Sequence, residues 1–344
     1  MYLKKLFMKI NLEKINTLIE EGYISKRKHP TEDLWIYNYT HKCQFDRKWT
    51  KETMMCRGLI VDKDDTIVSI CLKKFFNLEE HQENLPDGDY KVEDKLDGSM
   101  GILYWIGDIP YLATRGSFES EQAIKGTEIL HKTLGDRKLD KDITLIFEIL
   151  YRQNRIVIDY GDEEKIVLLT GIDKNGNEVD DLPDYFERPV NYNKKITELK
   201  ETQRDNAEGY VIKWKDGFRL KVKFAEYVRL HRILTGINER RIWEILRNGD
   251  DINQIINKVP DEFYKFVKDT VERLNGEYTT IHLEAMKIRN KVVDMANRKE
   301  QAEYIFKNTK YPGIVFNFLD DKQVVDSIWK LLKPEATKPF KEEI

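Results

Sequence analysis

The chain has 344 residues and a mass of 40.9 kDa, which suits about two domains. Its 40% hydrophobic and 35% charged content excludes wholesale disorder, and the lack of any run of 18 apolar residues excludes a transmembrane helix. The net charge is −3, with 21 Lys and Arg against 20 Asp and Glu from Ala225 onward, so gripping nucleic acid through bulk positive charge is excluded too.

In chain order, a strand-rich part reaches about Phe224 and a helical part follows. Met1 to Met8 has neither a long apolar stretch nor a small-residue cleavage site and is not expected to be a signal peptide. A helix is expected around Leu12 to Glu21, ended by Gly22. Gly58 to Val61 and Ile67 to Cys71 flank Lys63-Asp64-Asp65-Thr66 in a hairpin pattern. Tyr90 to Glu93 reads as a strand, and Met100 to Trp105 and Tyr111 to Thr114 flank a Gly107-Asp108 turn. Ser120 to Leu134 reads as a helix, and Ile143 to Leu150 and Ile166 to Thr170 as apolar runs of strand length. Tyr210 to Trp214 and Phe218 to Phe224 flank Lys215-Asp216-Gly217, whose Asp-Gly pair is a strong hairpin cue. Dominant antiparallel hairpins predict an α+β fold, not a parallel doubly wound sheet.

Beyond Phe224 the period becomes helical. Phe263, Phe266, Val267, Val271 and Leu274 predict a helix entered through Pro260-Asp261 and closed by Gly276. Ile281, Ala285, Ile288, Val292 and Met295 predict one face of another, and Asp320-Asp321 is expected to cap a helix carrying Val324, Val325, Ile328, Leu331 and Leu332. The expected domains are 1–230, mixed, and 231–344, all-helical. Cys43, Cys56 and Cys71 are odd in number and lack metal-ligand spacing, which predicts reduced thiols in a cytoplasmic protein.

The residues that could carry chemistry begin with Lys95-Leu96-Asp97-Gly98, directly after the Tyr90 strand. A lysine amine, with an ordinary pKa of about 10.4, becomes a nucleophile when burial and neighbouring cations bring that value down. Alone, the pattern fits a surface lysine before an Asp-Gly turn equally well. Downstream, Phe147-Glu148 ends an apolar run, Glu208-Gly209 opens the last hairpin, and Lys221-Val222-Lys223 closes it. Side chains alternate along a strand, so both lysines share a face. Such a cationic wall suits a triphosphate, whose transfer needs charge neutralisation more than covalent help; a lone K-x-K also fits the solvated face of a hairpin.

In this order, K-x-D-G, F-E, E-G and K-x-K resemble the covalent nucleotidyltransferase superfamily: ATP-dependent DNA and RNA ligases and mRNA capping enzymes. Tyr37-Asn38-Tyr39, Cys56-Arg57-Gly58, Lys73 to Leu78, and Arg115-Gly116-Ser117 with Ser120 to Ala123 narrow the resemblance to the T4 RNA ligase 1 family of ATP-dependent RNA ligases. Asn154 to Val157, and Tyr227-Val228 with Leu230-His231, continue it, so that it spans roughly Tyr37 to His231.

The resemblance implies an adenylyltransferase domain, an ATP-grasp-like antiparallel sheet, over 1–230, followed by the helical domain. It implies that Lys95 attacks the α-phosphorus of ATP to give lysyl-AMP, that AMP passes to an RNA 5′-phosphate, and that a 3′-hydroxyl then displaces it. Arg57 and Lys74 would grip phosphates, Asp97 and Gly98 would bind the nucleotide or its phosphates, and Arg115 would lie close to it. Glu148 would contact the sugar, Glu208 would bind Mg²⁺ or Mn²⁺, and Lys221 and Lys223 would lie along the α-phosphate. The implied partners are ATP and single-stranded or nicked-loop RNA, as in tRNA repair, with a separate end-healing kinase or phosphatase and no membrane.

A GTP-dependent capping guanylyltransferase and a DNA ligase share the lysine chemistry, but both usually carry an oligonucleotide-binding barrel after the K-x-K strand, where this chain turns helical. A non-catalytic RNA-binding relative is opposed by the expected residue type at every matched charged position. The histidines form no H-x-x-x-H pair and there is no G-x-x-x-x-G-K-[ST] loop, so metal-hydrolase and fused-kinase schemes have no support. The helical part could brace the catalytic domain or position a particular RNA; both readings stay open.

Overall fold

A computed structural model describes residues 11–81, 85–199, 201–253 and 263–334, which fall into two compact units, one ending at His231 and the other beginning at Arg232. The opening segment Met1 to Met8 and the helix entry at Pro260-Asp261 lie outside the described residues.

The first unit is built on three sheets. One has the order β1 (Ile24–Lys28), β2 (Leu34–Tyr39), β3 (Arg57–Asp62), β4 (Ile67–Ser69). The central sheet contains β7 (Ser99–Ile106), β8 (Ile109–Ala113), β9 (Ile143–Leu150), β10 (Lys165–Asp173) and β11 (Glu178–Val179), in the order β11-β10-β9-β7-β8. The third contains β5 (Phe76–Asn77), β6 (Tyr90–Lys95), β12 (Asn191–Tyr192), β13 (Gly209–Trp214) and β14 (Arg219–Lys223), in the order β12-β6-β13-β14-β5. The pairings are antiparallel except that of β14 with β5, where Leu220 and Lys221 run parallel to Phe76 and Asn77. The expected hairpins and the α+β class are present. The strands β1 and β2, on either side of His29-Pro30-Thr31-Glu32-Asp33, and the two-residue strands β5, β11 and β12 are additions.

Alternation along β9 decides what each face of the central sheet does. Leu145, Phe147 and Ile149 pack with Leu103, Leu112 and the helix Glu121–Leu134, which starts as expected with Ser120 Oγ accepting from the Ala123 N–H at 3.2 Å. Ile146 turns the other way with Ile102, against Tyr37, Leu59 and Val61 of the first sheet. Each such fully buried side chain contributes about 1.5–3 kcal/mol. Glu148 shares the face of Ile146 and stands opposite Met100 in the β7–β9 register.

The third sheet is sorted the same way. Val92, Tyr210, Ile212, Leu220 and Val222 form its core face, so Lys95, Lys213, Arg219, Lys221 and Lys223 occupy the other.

The second unit is helical among its described residues: Glu239–Asn248, Tyr264–Val292, Arg298–Asn308, Pro312–Leu319 and Val325–Leu331. Gly276 closes nothing. The two helices expected on either side of it are one helix of 29 residues, because the buried stripe Val267, Thr270, Leu274 continues as Ile281, Ala285, Ile288, Val292. That burial outweighs the roughly 1 kcal/mol cost of an internal glycine. Asp320-Asp321 does not cap the last helix either: Asp320 ends Pro312–Leu319 and accepts from Arg298 Nη2 at 2.6 Å, and the next helix starts from Val324 without a side-chain cap. No described helix is long and apolar enough to cross a membrane.

Candidate active site

Lys95 is the last residue of β6, and the sheet register sets it beside Gly209, which is in turn flanked by Lys223 on β14. The missing side chain at the centre lets two lysines lean together. Both ammonium groups reach the same oxygen of Glu208: Nζ of Lys95 lies 2.8 Å and Nζ of Lys223 3.2 Å from Oε1. Glu208 is 3% exposed. No other residue fits at 209, where φ is +154° and an added Cβ would meet the Val222 carbonyl oxygen at 2.0 Å. Lys221 is buried one rung further along, opposite Val211.

The turn after Lys95 is fixed by Asp97. Its Oδ2 accepts from the backbone N–H groups of Val157 and Ile158 at 2.9 and 3.0 Å, and its Oδ1 from the Tyr227 hydroxyl at 2.7 Å. The Asp97 N–H donates to the Tyr160 hydroxyl at 2.8 Å. Asp97 is 4% exposed, and both of its carboxylate oxygens are taken up by these internal partners. Three matched segments, the K-x-D-G, the stretch after Asn154 and Tyr227, thus converge on one carboxylate. Asn154 adds a second tie, donating to the Ile149 carbonyl and accepting from Ser99 Oγ, each at 3.0 Å.

Gly98 brings the turn against β9. Its N–H donates to Glu148 Oε1 at 3.0 Å, and an added Cβ would meet the Ile149 carbonyl oxygen at 2.5 Å. Burial pushes the Glu148 carboxyl up to about 7. Lys95 and the Gly98 N–H oppose that shift, while Glu208 and Asp97, both acidic, reinforce it. Glu148 is poised between its two protonation states near neutral pH.

Arg57, Lys74 and Arg115 come from around the first sheet. Arg57 Nη1 lies 3.4 Å from Met100 Sδ and 3.4 Å from the Leu72 carbonyl. Lys74 is buried amid aromatic rings, with Nζ 6.0, 5.5 and 5.6 Å from the ring centres of Tyr39, Trp49 and Phe76. Arg115 Nη1 donates to the Tyr39 hydroxyl at 3.2 Å, and Gly116 sits against the Asn38 side chain. Lys95, Gly98, Glu148, Glu208 and Lys223 therefore form one connected cluster. Arg57 joins it through Met100, opposite Glu148. Lys74 and Arg115 meet at Tyr39 instead, and Lys221 stands between Val211 of β13 and Asn77 of β5 in the sheet register.

Sequence reasoning missed Glu178. From β11 it crosses to the third sheet, where Oε2 accepts from Arg219 Nη2 at 2.7 Å and from Lys213 Nζ at 2.5 Å, and Thr170 Oγ1 donates to it at 2.7 Å. The pull of Arg219 and Lys213 outweighs burial and holds this carboxyl at about 2. Beyond Arg219 opens a cavity of about 820 Å³, lined also by Lys74, Phe76, His81 and Phe218.

No group of three or more metal-ligating side chains exists among the described residues. Glu208, a buried hard-oxygen donor flanked by Lys95 and Lys223, fits a Mg²⁺-type ion that takes few protein ligands and completes its shell with water and phosphate oxygens.

The sequence profile of an RNA ligase family, of T4 type, matches residues 55–227, half of the chain. A protein of Thermovibrio ammonificans, provisionally designated an RNA ligase, is 25% identical over 355 aligned positions, covering 90% of each chain. The RNA ligase of Rhodothermus phage RM378 is 22% identical, covering 77% of each. Among solved structures, a protein of Aquifex aeolicus provisionally designated an ATP-dependent DNA ligase superposes with a TM-score of 0.46 at 14% identity, covering 91% of this chain and 100% of that one.

Proposed function

Since the chain belongs to the RNA ligase family, we propose that it seals RNA ends at the expense of ATP in three successive transfers. In the first, the Lys95 nitrogen supplies an electron pair to the α-phosphorus, the bond to the β-phosphate oxygen breaks, and pyrophosphate leaves. Lys95 gives up one ammonium proton to solvent before the attack and a second as the P–N bond forms, while Glu208, 2.8 Å from that nitrogen, keeps it aimed at the phosphorus. In the second, an oxygen of an RNA 5′-phosphate attacks the same phosphorus, and the P–N bond breaks as the lysine takes a proton back. In the third, a 3′-hydroxyl attacks the RNA phosphorus, loses its proton, and expels AMP. Covalent catalysis replaces one hard displacement by easier ones.

The observation that carries this reading is the convergence of Lys95 and Lys223 on the buried Glu208 across Gly209. Lys223, with Lys221 one rung away, faces the charge that develops on the α-phosphate. Glu148, held by the Gly98 N–H, supplies an acceptor for a sugar hydroxyl. Arg57, Lys74 and Arg115 serve the remaining phosphates and the nucleotide's outer edge, and Asp97 keeps Lys95 in place. Glu208 would hold Mg²⁺ or Mn²⁺ together with substrate phosphates, which supplies charge neutralisation at the reacting phosphorus. The substrate is RNA with a 5′-phosphate and a 3′-hydroxyl, single-stranded or a nicked loop such as that of a broken tRNA, prepared by a separate end-healing enzyme.

The test is covalent labelling. Protein freed of bound AMP is mixed with α-labelled ATP or GTP and Mg²⁺ and then denatured, with Lys95→Ala alongside. Label from ATP that is absent in the variant is expected. Label from GTP would transfer the case to capping chemistry, and no label from either would end the enzymatic reading.

A further inference from the structure

The cavity beside Arg219 is not the place of ATP in the reading above. None of Lys95, Glu148, Glu208 or Lys221 lines it; it meets that site at Lys74. Its volume, about 820 Å³, is that of a pocket for a nucleotide-sized ligand. Phe76 and His81 lie 5.4 Å apart, and His81 and Phe218 6.3 Å, between ring centres. Trp49 stands edge-on behind Phe76 at 5.5 Å. The cations at this pocket are held rigidly: Lys74 among aromatic rings, and Arg219 by the two oxygens of Glu178.

Aromatic faces beside fixed cations bind a base by stacking and its phosphate by charge, and this combination reads unpaired strands, because bases inside a duplex offer no free face. We propose that the cavity seats an unpaired RNA nucleotide next to the end being joined, its base against Phe218, Phe76 and His81 and its phosphate met by Lys74 and Arg219. The proposal rests on the RNA ligase reading and adds a subsite to it. Lys74 is then the shared boundary between the phosphates of ATP and those of the RNA.

Phe218→Ala and Phe218→Tyr separate the steps. Labelling by ATP should stay within about twofold of wild type in both, which also shows that they fold. The Michaelis constant for a single-stranded RNA in joining should rise on the order of 5- to 150-fold in Phe218→Ala and stay near wild type in Phe218→Tyr, which keeps the ring. A second measurement needs no variant: a 4-thiouridine RNA, photocrosslinked to wild-type protein, should mark the peptides around residues 76–81 and 215–219. Unchanged RNA dependence in Phe218→Ala, or crosslinks confined to other peptides, would overturn the proposal. So would loss of ATP labelling in a folded Phe218→Ala, which would assign the cavity to ATP's own phosphates. Wild-type protein that takes no label would overturn the ligase reading itself, and the cavity proposal with it.

Discussion

Replacing Glu178 by Gln tests whether charge ties two sheets of the first unit together. Glu178 enters from β11, whereas Lys213 and Arg219 belong to the hairpin that also carries Lys221 and Lys223. The variant keeps the shape and one acceptor for Thr170 but leaves Arg219, whose side chain is 7% exposed, without its counter-charge. Two routes give the size of the loss. Moving the carboxyl from 4.5 to about 2, at 1.36 kcal/mol per pH unit, corresponds to about 3 kcal/mol. Breaking one side of a buried ion pair costs about 3–5 kcal/mol. With Glu178 19% and Lys213 24% exposed, solvent screening favours the lower end.

The sign follows from the depressed value. The contribution is complete above pH 4.5 and is lost as pH falls through about 2, so the gap between wild type and variant should be full at pH 7 and more than half gone by pH 3. Urea denaturation followed by tryptophan fluorescence, repeated from pH 7 to pH 3, measures both. A loss below about 1 kcal/mol at pH 7, or one just as large at pH 3, would show that the tie is not electrostatic.

Two further outcomes are expected. Gly209→Ala forces a methyl into the Val222 carbonyl; backbone strain and displacement of β14 should cost at least about 3 kcal/mol and abolish ATP labelling, and a variant with wild-type melting temperature would show that the approach is not tight. Glu148→Gln works with the opposite sign to Glu178. Its folded-state carboxyl lies at about 7 against 4.5, so wild type loses stability as pH rises from 4.5 to 7 and the loss is complete above. The variant should match wild type near pH 4 and exceed it at pH 8 by up to about 3 kcal/mol, read from melting temperatures; equal pH profiles would mean that Glu148 is already ionised at pH 5.

The parts of this site legible in the chain are those in which one residue type at a fixed spacing answers a local demand. Lys221 and Lys223 share a face because strands alternate, and Gly209 stands where a side chain cannot. Lys73 and Lys74 show the limit: both are lysines, yet only Lys74 turns inward, which depends on Tyr39 and Trp49 arriving from elsewhere. Glu178 was invisible because its strand has two residues and its partners lie 35 and 41 positions on. Gly276 and Asp320 misled because a breaker or a cap residue signals only local preference, which long-range burial and the Arg298 contact override.

The three buried thiols have a practical consequence. Cys43 and Cys56 are wholly enclosed and Cys71 is 5% exposed, and desolvation holds their pKa values at about 11, 12 and 11. Almost none is thiolate at neutral pH, so alkylating reagents must wait for the chain to open. All three belong to the first unit and the sequence from Arg232 onward contains no cysteine. Alkylation rates therefore clock the opening of the first unit and stay silent on the helical half. A cysteine engineered on the surface of the helical half would be the fast-reacting thiol, and a dye placed there would follow that half alone.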